Sequence, residues 1–181
     1  MFISEFPDEL YDVLERLDQR TFRHCLRVSR LCEAAEGYLD MDNRLSMAGK
    51  IHDIGKIYFS ESMNNKEGVF TDIEKRIMSL HPFLGYALLK DYDINEDVQQ
   101  IVLLHHGTSP PHIGTLKLEV SNEIKEYANV LHTIDTYEAL VSPRSYRKKT
   151  MSIDEALDIL KKEEYANPKV ISLIEQRLLN I

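Results

Sequence analysis

The chain has 181 residues, 43% hydrophobic and 29% charged, which suits one compact globular domain with a real core and argues against disorder. Its formal charge of −8 lacks the positive footprint that nucleic-acid binding requires. No apolar run reaches the roughly 18 residues of a membrane span, and the N-terminus has no basic-then-apolar leader, so a cytoplasmic enzyme or binding protein is expected, without nucleic acid or membrane as partner.

Nearly every segment reads as helix, and none reads as strand. A first helix over 8–19 follows Pro7 and carries Leu10, Val13, Leu14 and Leu17 at helical spacing. A second, over 21–37, turns His24, Val28, Leu31 and Ala35 inward, with Gly37 as its terminator. Its two cysteines, Cys25 and Cys32, form neither a zinc knuckle nor a redox pair and read as buried reduced thiols. A third helix, 43–55, places Leu45, Ala48, Ile51, His52 and Gly55 along one face, and 57–70 reads as a polar loop. Thr71 with Glu74 is a capping box for a helix ending at His81, and Pro82 suits the first turn of the next, 82–91. Asp93 with Glu96 is a weaker cap for 95–106, followed by a loop from Gly107 to Glu119. A long helix over about 121–141 ends before Pro143; Ser152 and Glu155 cap another to about 163, and Asn167-Pro168 opens the last. The architecture expected is an all-α, bundle-like single domain.

The stretch Ile51-His52-Asp53-Ile54-Gly55-Lys56 sets an imidazole beside a carboxylate in apolar surroundings. Such a pair is either a buried hydrogen bond or the two sides of a cation site. Further ligand-type residues are His24, His81, His105, His106 and Asp135. Singly, each has a plain structural reading: a core histidine at 24, a helix-end histidine before Pro82, a surface carboxylate at 135. A metal-free bundle is one outcome of those readings. Together, they put metal-type side chains on or at the ends of five predicted helices. Adjacent helical residues point about 100° apart, so His105 and His106 rarely grip one ion alone. Five histidines and two aspartates fit two cations better than one. A set of nitrogen and oxygen donors without thiolate points to iron or manganese, or to nickel, cobalt or zinc, rather than calcium or magnesium.

These residues, in this order, resemble the HD superfamily of metal-dependent phosphohydrolases, and within it the HD-GYP family of cyclic-di-GMP phosphodiesterases. The resemblance is carried by His52-Asp53-Ile54-Gly55-Lys56, His81-Pro82 with Gly85, His105-His106, Asp135 to Leu140, and Arg144-Ser145-Tyr146-Arg147. It implies an HD-type helical bundle as a single domain over 1–181, with an N-terminal helix in 1–20 and a family-like core over about 20–175. It also implies one divalent transition metal on His24, His52, Asp53 and Asp135, with Asp53 bridging to a second on His81, His105 and His106. Asp53 and Lys56 would be catalytic, and Lys56, Arg144 and Arg147 would contact substrate phosphate. Arg144, Arg147, Lys148 and Lys149 read equally as an exposed charge run.

The implied activity is hydrolysis of a phosphoester in a nucleotide or cyclic dinucleotide by hydroxide generated at the metal pair. One departure bears on specificity. Where the family carries Glu and then Asp-Gly-x-Gly-Tyr-Pro, this chain reads Gly107-Thr108-Ser109-Pro110-Pro111-His112-Ile113-Gly114. The loop is replaced rather than deleted, and His112 is either a substitute substrate contact or an exposed loop histidine. The alternative function is a catalytically silent metal- or nucleotide-binding signalling module, working through a protein partner or a homodimer.

Overall fold

A computed structural model of the chain describes residues 6–107, 119–143 and 150–179. Among these residues the regular elements are all helical, as the hydrophobic periodicity requires. None of these helices is long and apolar enough to cross a membrane. Helix α1 (Asp8–Leu14) starts behind Pro7 and buries Leu10, Val13 and Leu14. The Asp18 side chain then accepts hydrogen bonds from the backbone N–H groups of Arg20 and Thr21, which opens α2 (Gln19–Leu39).

Helix α2 buries His24, Cys25, Val28, Leu31, Cys32 and Ala35 along one stripe. It runs through Gly37 and ends at Asp40, whose backbone is left-handed at φ 55°. The expected stop at Gly37 is therefore corrected: the aspartate supplies the left-handed C-cap. Helix α3 (Arg44–Ile51) lies against α2, and Gly49 makes that approach close. A Cβ there would sit 3.0 Å from Cys32 Sγ and 3.3 Å from Ser29 Cα.

The expected continuation of α3 to Gly55 is also corrected. The helix stops at Ile51, Asp53 takes φ −95° and ψ 7°, and the chain enters a 3-10 helix, Ile54–Tyr58. That turn is set by packing against α6 (His81–Leu89). A Cβ on Gly55 would fall 2.1 Å from the His81 carbonyl oxygen and 2.6 Å from the Gly85 nitrogen. Only glycine lets these two backbones touch.

The predicted loop over 57–70 contains the end of this 3-10 helix and a short helix, α4 (Glu61–Asn64). The capping box of Thr71 and Glu74 opens α5 (Asp72–Met78), which stops before His81, so that His81 and Pro82 start α6. Helix α7 (Glu96–Leu104) is capped by Asn95 rather than Asp93, and ends just before the histidine pair. Helix α8 (Asn122–Val141) starts at Ser121. The box of Ser152 and Glu155 opens α9 (Ile153–Leu160), and Asn167 caps α10 (Pro168–Glu175).

Helices α2, α3, α7 and α8 pack around a shared core, with α6 on α7 and α9 on α8. Leu45, Ile51, Leu131 and Ile134 are fully buried there, each contributing about 1.5–3 kcal/mol relative to exposure. The core brings the ends of α3 and α7 and the start of α6 to one place, with the middles of α2 and α8 beside them.

Candidate metal centre

Three histidines share one local device. His52 at the end of α3, His81 at the start of α6 and His105 at the end of α7 each place Nδ1 on the carbonyl three residues back. The distances are 2.9 Å to Gly49, 2.7 Å to Met78 and 2.6 Å to Val102. A carbonyl only accepts, so each Nδ1 carries a proton and each ring turns its Nε2 inward. His52 Nε2 is buried there with no hydrogen-bond partner among the described residues. His81 Nε2 and His105 Nε2 face each other at 3.2 Å. Two ring nitrogens at that separation need a proton or a cation between them. His106, exposed at the cluster's edge, has its ring centroid 4.1 Å from that of His105, tilted by 42°, and 5.1 Å from that of His81, edge-on.

His24 is oriented by a carboxylate instead. Its Nδ1 lies 2.5 Å from Glu138 Oε2, while Nε2 lies 2.9 Å from Asp135 Oδ1. Glu138 is fully buried and also accepts from Arg27 Nε and from Ser142 Oγ at 2.6 Å. Asp53 stands between the two histidine groups. Its Oδ2 is 3.7 Å from His24 Nε2 and 3.6 Å from His52 Nε2, and its Oδ1 is 3.1 Å from His81 Nε2. The Lys56 ammonium donates to Oδ2 at 2.6 Å. Asp135 Oδ1 is 3.7 Å from His52 Nε2.

Two ligand groupings result: His24, His52 and Asp135 in one, His81, His105 and His106 in the other, each with its ligand atoms within 4.8 Å of one another. Cys25 forms a third grouping with His52 and Asp53, but burial pushes its thiol well above the usual range, so it stays protonated.

The electrostatics suit cation binding. Burial opposes ionisation of Asp53, but Lys56 and His52 outweigh it and hold the carboxyl well below its usual range. Burial likewise opposes ionisation of Asp135, and His24 outweighs it. Burial keeps His52 and His105 neutral. For His24, burial lowers the pKa, but the hydrogen bonds to Asp135 and Glu138 prevail and lift it to about 9. Burial raises Glu138, yet His24, Ser142 and Arg27 bring it down to about 2. The interior thus holds ionised carboxylates, inward imidazole lone pairs and an orphaned ring nitrogen, a donor set that fits a pair of divalent transition metals.

All seven ligand-type residues named from the sequence lie in this centre, and Lys56 lies against Asp53. Arg144, Arg147, Lys148, Lys149 and His112 fall outside the described residues. Three contributors were not singled out from the sequence: Glu138, Arg27 and His132. Glu138 follows Asp135 by three residues and Arg27 follows His24 by three, so each shares a helix face with a ligand. His132 precedes Asp135 by three; its Nδ1 donates to the His105 carbonyl at 3.0 Å, and Nε2 is 2.7 Å from Glu163. It ties α8 to the turn that presents His105 and His106.

The family model described as HD domain matches residues 21–140. A cyclic di-GMP phosphodiesterase of Thermotoga maritima is 30% identical over 163 residues, covering 81% of this chain and 43% of that protein. A cyclic di-GMP phosphodiesterase of Pseudomonas aeruginosa is 31% identical over 144 residues, covering 75% and 34%. The chain therefore spans less than half the length of these relatives. The crystal structure of the HD domain of the phosphodiesterase PgpH from L. monocytogenes superposes with a TM-score of 0.68 at 17% identity, over 93% of this chain and 96% of that one. The same domain in complex with cyclic-di-AMP gives a TM-score of 0.62. At that identity the likeness is one of fold.

Proposed function

The chain belongs to the HD domain family, and from that premise we propose that it is a metal-dependent phosphodiesterase that opens a cyclic dinucleotide. The observation that carries this reading is the inward array of imidazole nitrogens: the orphaned Nε2 of His52 and the facing Nε2 atoms of His81 and His105, with Asp53 between them. The names of the two relatives, both cyclic di-GMP phosphodiesterases, support the substrate class.

His24, His52 and Asp135 would hold one ion and His81, His105 and His106 the other, with one oxygen of Asp53 directed at each group; iron or manganese suits the donors. Such ions supply Lewis acidity, which makes water a nucleophile near neutral pH and draws in phosphoryl oxygens. The protein's own part is positioning and charge. Asp53 keeps the two groups in register. Lys56, paired with Asp53 and lining the adjoining cavity, offers its ammonium to a non-bridging phosphate oxygen on which charge builds. Glu138 holds the proton of His24 on Nδ1, so that Nε2 faces the site.

The test is anaerobic reconstitution with Fe²⁺ or Mn²⁺, followed by chromatography of reactions with cyclic di-GMP, cyclic di-AMP and 3′3′-cGAMP. Metal-dependent appearance of a linear dinucleotide is expected, lost in His52→Ala and Asp53→Ala. Full metal occupancy with no product from any of the three would overturn the reading in favour of a silent binding module.

A further inference from the structure

Beside the metal centre lies a cavity of about 410 Å³, within the range of small-ligand sites. Its floor includes His24 and Asp53. Its walls bring together Arg20, Arg27, Lys56, Lys66 and Lys75, and Asp53 is the sole carboxylate among the described lining residues. In a chain with formal charge −8, five basic side chains thus meet around one space.

The partners of these cations separate them. Arg27 is held by Glu138, Lys56 by Asp53 and Lys66 by Glu74 at 2.5 Å. Lys75 reaches Asp72 only at 3.6 Å, with both side chains well exposed. Arg20 makes no ion pair among the described residues. It is half-buried in the first turn of α2 and four residues before His24, so the two share a helix face. A phosphate engaged at Lys56 leaves Arg20, one helical turn before His24, without a counter-ion.

One stretch of the wall, Val69 and Phe70, is apolar and lies outside the hydrophobic core. Neither α4 nor α5 buries a residue. Between them Val69 is 84% exposed and Phe70 is half-buried, both lining the cavity. Lys66 Nζ lies 5.7 Å from the Phe70 ring centroid, so an aromatic surface and a cation stand together, the combination that binds a base and its phosphate.

We propose that Arg20 and Lys75 form a second-phosphate subsite, with Phe70 as the platform for an adjoining base, and that this subsite selects dinucleotides over mononucleotides. The inference rests on the phosphodiesterase reading for its ligand class but concerns residues outside the metal centre. A mononucleotide satisfies only the Lys56 end. A dinucleotide reaches both ends.

The experiment measures binding rather than turnover. Metal-loaded protein is titrated calorimetrically with a hydrolysis-resistant phosphorothioate analogue of cyclic di-GMP and with 5′-GMP, and the metal content of each variant is determined. Arg20→Gln and Phe70→Ala are each expected to weaken the analogue about ten- to a hundred-fold while changing 5′-GMP by less than about two-fold. Metal content stays unchanged, and Arg20→Lys recovers most of the affinity. Equal losses for both ligands, unchanged affinity for the analogue, or a wild-type protein that does not bind the analogue overturns the subsite. A wild-type protein that binds the analogue but hydrolyses none of cyclic di-GMP, cyclic di-AMP and 3′3′-cGAMP, with the variant pattern intact, defeats the phosphodiesterase reading and leaves the subsite standing.

Discussion

Glu138 and His24 meet at 2.5 Å across α8 and α2, and Arg27 closes the far side of the carboxylate. A buried glutamate used this way fixes which ring nitrogen carries the proton. Glu138→Ala is expected to lower metal affinity about ten- to a hundred-fold, read by competition with a chelator, whereas Glu138→Gln keeps an acceptor and loses less. Equal affinity in Glu138→Ala and wild type would contradict the role. Glu138 was hard to find in the sequence because a glutamate on a helix usually faces water. Its partners His24 and Arg27 lie 114 and 111 residues away, a contact no local pattern encodes. His52, Asp53 and the histidine pair were legible because ligand-type residues amid apolar neighbours need a reason to be there.

His24 also gives the metal-free protein a pH dependence. Its folded pKa, lifted to about 9 from an ordinary 6.5, means the protonated ring stabilises the fold fully below about 6.5. That contribution fades as pH rises towards about 9. Metal affinity moves the opposite way across the same window, because a ligating Nε2 must first lose its proton. Denaturant midpoints of stripped protein should therefore fall, and metal affinity rise, between these values; a flat pair of profiles would contradict the assignment. Asp53 and Asp135, held low, contribute stability that is complete above the ordinary carboxylate range and is lost as pH falls below it towards their depressed folded values.

At the scale of elements, two glycines make opposite predictions. Gly55 touches the backbone of α6, and a Cβ would lie 2.1 Å from the His81 oxygen. Gly55→Ala should destabilise the protein by about 1–3 kcal/mol and, by pushing Asp53 away from His81, reduce metal binding as well. Gly37 lies exposed within α2, and a methyl group added there would meet nothing within 4 Å. Gly37→Ala should stabilise by about 0.5–1 kcal/mol, with thermal melts checking both. The capping boxes at Thr71 and Ser152 could be read directly, since the side chains that cap lie three residues apart. The early end of α3 could not. The apolar period runs on through Gly55, and what bends the chain at Asp53 is contact with α6, more than two dozen residues later. The end of α2 escaped for the reverse reason: a glycine is a helix stop only where the backbone turns left-handed, and that happens at Asp40.

Across the whole molecule, an acidic chain gathers its inward imidazoles, two ionised aspartates and a cationic cavity at one end of a helical core. The all-helical architecture followed from periodicity alone. The convergence of five helices on Asp53 was suggested by the residue types and the family resemblance, because spacing along a chain does not say which helix ends meet. Specificity was the least legible part. The sequence directs attention to the loop after His106, whereas the proposed subsite draws Arg20 and Phe70, which line the cavity, from segments that carry no motif. The central claim, that two ion sites share Asp53, is tested most directly by electron paramagnetic resonance of the protein titrated with Mn²⁺. A stoichiometry of two ions per chain with an exchange-coupled spectrum, reverting to an uncoupled single-ion signal in His81→Ala, is the predicted result. Saturation at one ion, or two ions with no coupling, would contradict it.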